Sequence, residues 1–369
     1  MNIDLFISIG LYFSAIYALI LITFMIGILI LPRKRDKKIK PISVIIAARN
    51  EELHLETLIN ALANQAYPAD KFEVIIIDDR STDNTLQLLS QESEKFNWLK
   101  IENIAEEDPG IVGKKGALDL GIAKAKYEIL AFTDADCLPG RKWLAEINAL
   151  MTSETDFLCG YSPLKSSGKL FSLLKNLERS SIFAVIAGSF GLGWDITSVA
   201  RNQVYRKSRF EMIKGFTGLG TQRSGDDDLL LQKMSPVIRK RNFIFAPQAS
   251  VVSIDKPNLK EQIHLETRRA SKWKLYPLPI KLLTLFILIY YFIISGALVL
   301  AIFGKTSWLI FVYLNLLKVL SEFTLLFIFL VKTGQLRQLW VFPIAELLYI
   351  PYYIYFGFRG TFGTYSWKK

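Results

Sequence analysis

The sequence contains little cysteine and little histidine, with two residues of each among 369. Cys137 and Cys159 lack the spacing of a metal-binding pair, and we expect both to be free thiols in a reducing cytoplasm. His54 and His264 are far apart along the chain, which favours a structural role for each over metal ligation. The composition therefore argues against a zinc site built from these two residue types.

Charge is missing from several long apolar runs. Residues 5–31 carry no charge, and at about 1.5 Å per residue a helix of this length crosses a hydrocarbon core of about 30 Å. A cleavable signal peptide would have basic residues before a shorter apolar region, whereas here the basic cluster at 33–40 follows the run. We therefore predict a retained anchor over residues 1–32. Later runs cover 282–304, 306–331, which Lys318 and Glu322 interrupt, and the weaker 338–358.

Basic residues next to these runs predict their orientation. The first four residues contain no lysine or arginine, whereas six of the eight residues from 33 to 40 are basic. The positive-inside rule then places the amino terminus outside and the globular region 41–276 in the cytoplasm of a multi-pass protein of the cell (inner) membrane. The region 277–369 is expected to hold two transmembrane helices and a third segment. That segment, 338–358, contains prolines and tyrosines, so it either spans the membrane or lies in its interface.

The globular region alternates between strand and helix patterns. Apolar runs predict strands at 42–47, 72–79, 98–103 and 127–136, and helical patterns start at Glu51, after a cap at Ser81 or Thr82, at 113–126 and at 141–151. This alternation is typical of an α/β fold with a mainly parallel, doubly wound, Rossmann-like sheet.

Polar side chains follow three of the predicted strands. Asn50 and Glu51, Asp78 and Asp79, and the pair Asp134 and Asp136 all fall at or just past strand ends. Ligands of parallel sheets bind beyond the carboxyl ends of the strands, so these groups are expected to share one site. Asp79, helped by Glu51, is suited to accept hydrogen bonds from the edge of a nucleotide base.

Asp134 and Asp136 are like charges two residues apart, and they would repel each other unless a cation lies between them. Mg²⁺ typically uses one or two carboxylates together with phosphate oxygens. Lys114 or Lys115, near a helix amino terminus, would add positive charge for the same diphosphate. These residues together indicate a site for a nucleotide-sugar and a divalent metal.

A second acidic cluster is Asp226–Asp228, which opens an apolar helical stretch. One of these residues would be sufficient as a helix cap, so we favour a catalytic base for the cluster, with capping as the alternative. Inverting glycosyl transfer needs a carboxylate to take the proton of the attacking hydroxyl.

The chain resembles membrane-anchored glycosyltransferases of family 2, which have the GT-A fold. The matching segments, in order, are SVIIAARNEE, VIIIDDRSTDNT, GKKGAL, FTDADC and GDDDLLL, with NQVYRKSRFEMIKGF as a weaker match, and they cover roughly residues 41–234. The resemblance implies that the region 41–276 is a GT-A catalytic domain, and that the chain is an enzyme of the hexosyltransferase type.

The resemblance also implies roles for individual residues. Asp227 would be the catalytic base, and Asp134 and Asp136 would form the D-x-D motif that binds Mg²⁺ or Mn²⁺ and the diphosphate. The donor would be bound by Ala47, Glu51, Asp79, Lys114, Asp134 and Asp136. The acceptor or motif region would include Asp226, Asp228, Arg268, Arg269 and Trp273.

The sequence departs from the polymerising members of that family before the second membrane run. Those members carry Q-x-x-R-W, and residues 264–277 here read HLETRRASKWKLYP. An alignment on Arg268 loses the glutamine and the tryptophan. An alignment on Trp273 loses the glutamine and places Lys272 where the arginine should be. Processive synthesis is therefore less favoured, and a basic helix at the membrane surface is the alternative role for this stretch.

These features support three hypotheses. The first is an inverting enzyme that moves one sugar from a nucleotide-sugar, with UDP as the expected nucleotide, to a lipid or glycan acceptor in or near the membrane. The second is a processive polysaccharide synthase that exports its product, and the third is a catalytically silent membrane scaffold. No feature indicates a nucleic acid or an obligatory protein partner.

Lys318 falls near the middle of its apolar run, where a lone charge is costly. Glu322 lies four residues further on and shares its helix face, so we predict an ion pair that points into the protein and that Glu346 can join. The alternative is a polar lining for a head group or sugar that crosses the membrane.

Overall fold

A computed structural model describes residues 3–165, 167–222, 224–254 and 259–363. The strands are β1 (Ile42–Ala48), β2 (Phe72–Asp79), β3 (Leu99–Ile104), β4 (Ile129–Phe132), β5 (Cys137–Pro139), β6 (Thr155–Gly160), β7 (Gln203–Arg206), β8 (Lys240–Ile244) and β9 (Val251–Ser253). The α-helices are α1 (Ile3–Ile30), α2 (Leu55–Ala63), α3 (Thr85–Ser93), α4 (Lys114–Lys124), α5 (Trp143–Leu150), α6 (Leu170–Gly191), α7 (Lys207–Met212), α8 (Asp228–Met234), α9 (Leu259–Ser271), α10 (Leu278–Ile302), α11 (Trp308–Thr333) and α12 (Phe342–Phe362).

Seven strands form one sheet in the order β3-β2-β1-β4-β7-β6-β8. The strands from β3 to β4 pair in parallel, β7 pairs antiparallel with both of its neighbours, and β6 pairs parallel with β8. Strands β5 and β9 form a separate antiparallel pair. The predicted mainly parallel, Rossmann-like α/β fold is therefore confirmed.

Alternate side chains of the central strands enter two different cores. Val44 and Ile46 of β1 pack in a core that includes α2 and α5, whereas Ile45 of the same strand packs in a core that includes α4 and α6. The second core continues without a break into α1, α10 and α11. One face of the seven-stranded sheet is thus packed, through α6, onto the apolar helices.

Two local predictions were wrong. The helix expected from Glu51 begins at Leu55, because Asn50 has a positive φ of 56° and the next residues form a turn. Ser81 and Thr82 do not cap α3. Ser81 Oγ instead accepts a hydrogen bond from the Asn50 N–H, and Asp83 accepts from the Thr85 N–H at 3.0 Å.

The anchor helix α1 and helix α6 contact each other through glycines. A Cβ built on Gly191 would lie 1.8 Å from the Gly27 carbonyl oxygen, and one on Gly27 would lie 1.9 Å from the Gly188 carbonyl oxygen. Small residues at such crossings let helix backbones approach closely. The backbone of α6 thus lies directly against the backbone of α1.

Within the part of the chain that the structure describes, four segments are long and apolar enough to cross a membrane: Asp4–Ile30, Leu278–Ile302, Trp308–Thr333 and Leu336–Phe362. The fourth differs from the others because both of its ends contact the catalytic domain. At its start, the Gln338 side chain bonds with Tyr161 and Ser180. At its end, Gly360 lies against Ala270 of α9. Whether α12 crosses the membrane or lies in its interface stays a prediction with both alternatives.

Lys318 is fully buried and lies between two carboxylates, at 2.8 Å from Glu322 Oε2 and 2.5 Å from Glu346 Oε2. The Tyr17 hydroxyl of α1 donates to Glu322 Oε1 at 2.5 Å. The predicted inward-facing pair is confirmed, and Glu346 completes a cluster that ties together α1, α11 and α12.

Candidate active site

The D-x-D pair follows strand β4 directly. Asp134 and Asp136 lie in the turn between β4 and β5, and the buried Ala135 between them packs in the core with α2 and α5. That anchor leaves both carboxylates at the carboxyl edge of the sheet. Their oxygens and the Cys137 Sγ lie within 4.8 Å of one another.

Two cations face Asp134. The Lys114 ammonium forms an ion pair with Asp134 and lies 3.4 Å from Asp226, and Arg201 Nε lies 4.0 Å from Asp134. Burial alone would raise the pKa of Asp134, but Lys114 and Arg201 outweigh it and lower that pKa. Asp134 is therefore a carboxylate at neutral pH.

The two lysines at the start of α4 have different roles. Gly113, whose φ is 67°, starts the helix so that Lys114 faces the D-x-D pair. Lys115 is buried instead, and its ammonium donates to the carbonyls of Leu219 and Ser224. Of the two candidates for the diphosphate, Lys114 is placed at the site, and Lys115 holds the loop before the acidic cluster.

The three aspartates at the start of α8 are not equivalent. Their side chains are 17% exposed at Asp226, 22% at Asp227 and 3% at Asp228. Asp228 is occupied by the Tyr276 hydroxyl and the Lys272 ammonium, each at 2.5 Å. Asp227 caps α8 through the Asp228 N–H at 2.8 Å and keeps the largest exposed fraction.

The pKa values of Asp227 and Asp228 are shifted in opposite directions. Burial would raise the pKa of Asp227, but the Lys272 charge, 3.5 Å away, and the bond from Asp228 N–H lower it well below its usual range. Burial and the Asp227 carboxylate raise the pKa of Asp228 to about 6. Asp227 is thus held as a carboxylate, and it keeps the largest exposed fraction of the three.

Both aspartate groups line one cavity of about 430 Å³. Among the described residues, six acidic and six basic side chains line it: Asp134, Asp136, Asp226, Asp227, Asp228 and Glu266, with Lys175, Arg179, Arg201, Arg268, Arg269 and Lys272. The cavity lies between the sheet edge, helix α6 and the segment that leads into α10.

Sequence reasoning missed several of these residues. Lys272 and Tyr276 hold the acidic cluster, yet they are more than forty positions from it, and the imperfect motif at 264–277 was the only signal in the sequence. Arg201 precedes the weak match that starts at residue 202, and no pattern singled it out. Arg268 and Arg269 do line the cavity as expected, whereas Trp273 is not among its lining residues.

The other donor residues expected from the resemblance lie apart from this cavity. Asp79 lines a separate cleft of about 270 Å³ beside the loop that leads to Gly113. Its carboxylate accepts from Arg80 Nε at 2.8 Å. Glu51 is 2.7 Å from His54 Nδ1, and neither Glu51 nor Ala47 is among the residues that line either space. The predicted acidic groups do lie at one edge of the sheet. Asp134 and Asp136 line the larger cavity, however, whereas Asp79 lines the neighbouring cleft.

The side chains at the D-x-D turn fit a hard divalent cation. Carboxylate oxygens are the ligands that Mg²⁺ and Mn²⁺ prefer. The third nearby group, the buried Cys137 thiol, has a pKa raised well above its usual value by burial and the two aspartates, so it stays protonated. The donor set is therefore the carboxylate pair alone, with Lys114 as the cation beside it.

Residues 43–211 match the model of the family described as glycosyl transferase family 2. A probable glycosyltransferase of Bacillus subtilis is 33% identical over 107 residues, which are 29% of this chain and 25% of that protein. A beta-monoglucosyldiacylglycerol synthase of Nostoc is 34% identical over 127 residues, 33% of this chain and 27% of that protein. The chain thus spans about a quarter of the length of these relatives.

Among solved structures, a mannosyltransferase of Pyrobaculum calidifontis, described in complex with GDP-Man and Mn²⁺, matches with a TM-score of 0.54. The match covers 96% of this chain and 95% of that one at 18% identity, so the likeness concerns the fold. Together with the mainly parallel sheet and the acidic edge, these matches show that residues 43–211 form a glycosyl transferase family 2 domain of the GT-A fold.

Proposed function

We propose that the protein is an inverting glycosyltransferase that moves one sugar from a nucleotide-sugar, with UDP as the expected nucleotide, to a hydroxyl of a lipid acceptor at the membrane. The observation that carries this proposal is the cavity of about 430 Å³, in which the D-x-D pair and Asp227 face each other beside α6. Helix α6 is packed on the apolar helix α1, so the reaction would take place at the membrane surface.

The donor would bind with its diphosphate at the D-x-D turn. A bound Mg²⁺ or Mn²⁺, held by Asp134 and Asp136, would supply charge neutralisation for the leaving diphosphate. Lys114 and Arg201 add positive charge at the same place. Electrostatic stabilisation of developing charge is usually the largest catalytic contribution. The nucleotide base of the donor would lie toward Asp79, beyond Gly113.

Asp227 would act as the general base. Its carboxylate takes the proton from the acceptor hydroxyl as the oxygen attacks the anomeric carbon. The bond between that carbon and the diphosphate oxygen breaks, and the nucleoside diphosphate leaves with the electron pair, so the anomeric configuration is inverted. The Lys272 ammonium and the Asp228 N–H keep Asp227 ionised before the reaction.

Single transfer is favoured over processive synthesis. The Q-x-x-R-W pattern is incomplete, and the apolar helices enclose a space with an almost wholly hydrocarbon lining rather than a polar path. A lipid acceptor is supported by the name of the Nostoc relative, which is described as a beta-monoglucosyldiacylglycerol synthase. The basic cluster at 33–40 supports a cytoplasmic face of the cell membrane as the location.

The test is a screen of nucleotide-sugars with the purified full-length chain in lipid nanodiscs containing Mg²⁺ or Mn²⁺. Release of nucleoside diphosphate, together with a glycosylated lipid in the extract, is the expected result. A matched control is Asp227→Asn, which keeps the shape of the side chain and removes the base. Absence of turnover with every donor would support the silent scaffold instead.

A further inference from the structure

A second cavity, of about 290 Å³, lies between α6 and the apolar helices. Its walls come from α1, α6, α10, α11 and α12, and nearly all of the lining is apolar. On α1 the lining runs from Tyr17 to Phe24, about 10 Å of helix. The space is therefore elongated along the helices and suits a chain more than a compact ring.

This apolar cavity adjoins the catalytic cavity. Ile182 of α6 and Thr197, which follows that helix, line both spaces. Asp227 lies on the catalytic side of this junction, as does Ser198, whose hydroxyl donates to the Asp227 backbone carbonyl. A molecule that places a hydroxyl at Asp227 can thus extend its tail past Ile182 into the apolar space.

Glu322 and Glu346 line the apolar cavity, and both bind the buried Lys318 behind them. Lys318 bonds with both carboxylates, and Glu322 also accepts from the Tyr17 hydroxyl. A sugar or head group would have to break this buried cluster, which is costly. A hydrocarbon chain makes no such demand, because the remaining lining is apolar.

The junction disfavours an anionic head group. Glu178 lines the apolar cavity, and burial together with the nearby Glu266 raises its pKa to about 7. Arg269 is already matched by Glu266 at 2.9 Å. Among the described residues, the catalytic cavity is lined by as many acidic as basic side chains, and Lys114 adds positive charge at the D-x-D turn, where the donor diphosphate would take it.

We propose that the apolar cavity holds one hydrocarbon chain of the acceptor, and that this acceptor is a neutral lipid with a hydroxyl head rather than a lipid phosphate. This proposal rests on the proposed function for the transfer reaction. It adds the class of acceptor and the surface that would select it.

The binding test uses the full-length chain in phosphatidylcholine nanodiscs and a monoacylglycerol with a diazirine in its chain. After photolysis, mass spectrometry should locate label on cavity residues such as Leu177. Val185→Phe fills part of the cavity and removes space for about two methylenes, so labelling should fall by about tenfold. Val299→Phe makes the same change at a position that is 50% exposed on α10, and it should leave labelling unchanged. Label confined to outward residues such as Phe292, or equal labelling in Val185→Phe, would overturn the assignment.

Two further arms separate the alternatives. A lysophosphatidic acid probe with the same chain should label more weakly, and equal or stronger labelling would overturn the neutral head group. With the donor identified by the screen, Val185→Phe should slow transfer to a long-chain acceptor and spare a short-chain hydroxyl analogue. Unchanged transfer to both would assign the cavity to a structural lipid. Absence of turnover with every donor would overturn the proposed function and the acceptor role with it, whereas failure of labelling overturns only the cavity assignment.

Discussion

Replacing Lys318 should destabilise the protein more than replacing either of its carboxylate partners. The ammonium is fully buried and contacts both Glu322 and Glu346. Lys318→Met leaves two carboxylates facing each other in a low-dielectric space. Removing one partner of a buried ion pair costs about 3–5 kcal/mol, and we expect a loss in that range.

The cluster's formal charge of minus one predicts an order among the variants. Glu346→Gln leaves the Lys318–Glu322 pair and the Tyr17 bond intact, so its cost should be below about 1 kcal/mol. The charge-reversed singles Lys318→Glu and Glu322→Lys should both be destabilised, and the swapped double variant should recover much of the loss. A fully neutral triple variant, Lys318→Met with both glutamates changed to glutamine, should return close to the wild type.

The assay is unfolding in detergent, followed by tryptophan fluorescence, with the free energy of unfolding compared across the series. Nucleoside diphosphate release on the same samples separates stability from catalysis. Equal stability of Lys318→Met and Glu346→Gln would show that the ammonium does not hold two carboxylates. A triple variant as unstable as Lys318→Met would show that packing, rather than unpaired charge, causes the loss.

Three other changes test the catalytic cavity and its rim. Asp227→Asn should keep its donor affinity, measured by calorimetry, and lose transfer, because a base acts in the transition state. An active Asp227→Asn together with an inactive Asp226→Asn would identify Asp226 as the base instead. Asp136→Asn, or excess chelator, should lower transfer by about 100-fold or more, in line with the loss of one electrostatic stabiliser of the leaving group, and near wild-type turnover in either case would exclude the metal role. Burial raises the folded-state pKa of Glu178 to about 7, so its contribution to stability is complete below the unfolded pKa and is lost as the pH rises through 7. The melting temperature should therefore fall less steeply from pH 5 to pH 8 in Glu178→Gln than in the wild type. Identical slopes would show that Glu178 is not the origin of the pH dependence.

The elements with strong local patterns could be predicted from the sequence. The strands that end at Asp79 and before Asp134 are runs of buried, mainly apolar residues, and they form where expected. The pairing of Lys318 with Glu322 followed from helical spacing alone. In these cases the physical cause lies within a few residues of the feature.

Contacts between distant segments could not be predicted in the same way. Lys272 and Tyr276 bind an acidic cluster that is more than forty residues away, and only the packing of the segment before α10 against α8 brings them there. The separation of Asp79 from the D-x-D cavity depends on the loop before Gly113, whose path has no periodic signal. The placement of α12 depends on Gln338 and Gly360, which meet the catalytic domain at opposite ends of one helix.

The glycine contact between α1 and α6 has a consequence for how substrate is found. Gly27, Gly188 and Gly191 leave no side chain between the two helices, so with α1 in the bilayer, as proposed, α6 would be held at the membrane surface. An acceptor embedded in the bilayer must therefore arrive by lateral diffusion within one leaflet. For such a substrate, the rate of encounter is set by its mole fraction in that leaflet, and diluting the membrane with inert lipid slows the enzyme at constant bulk concentration.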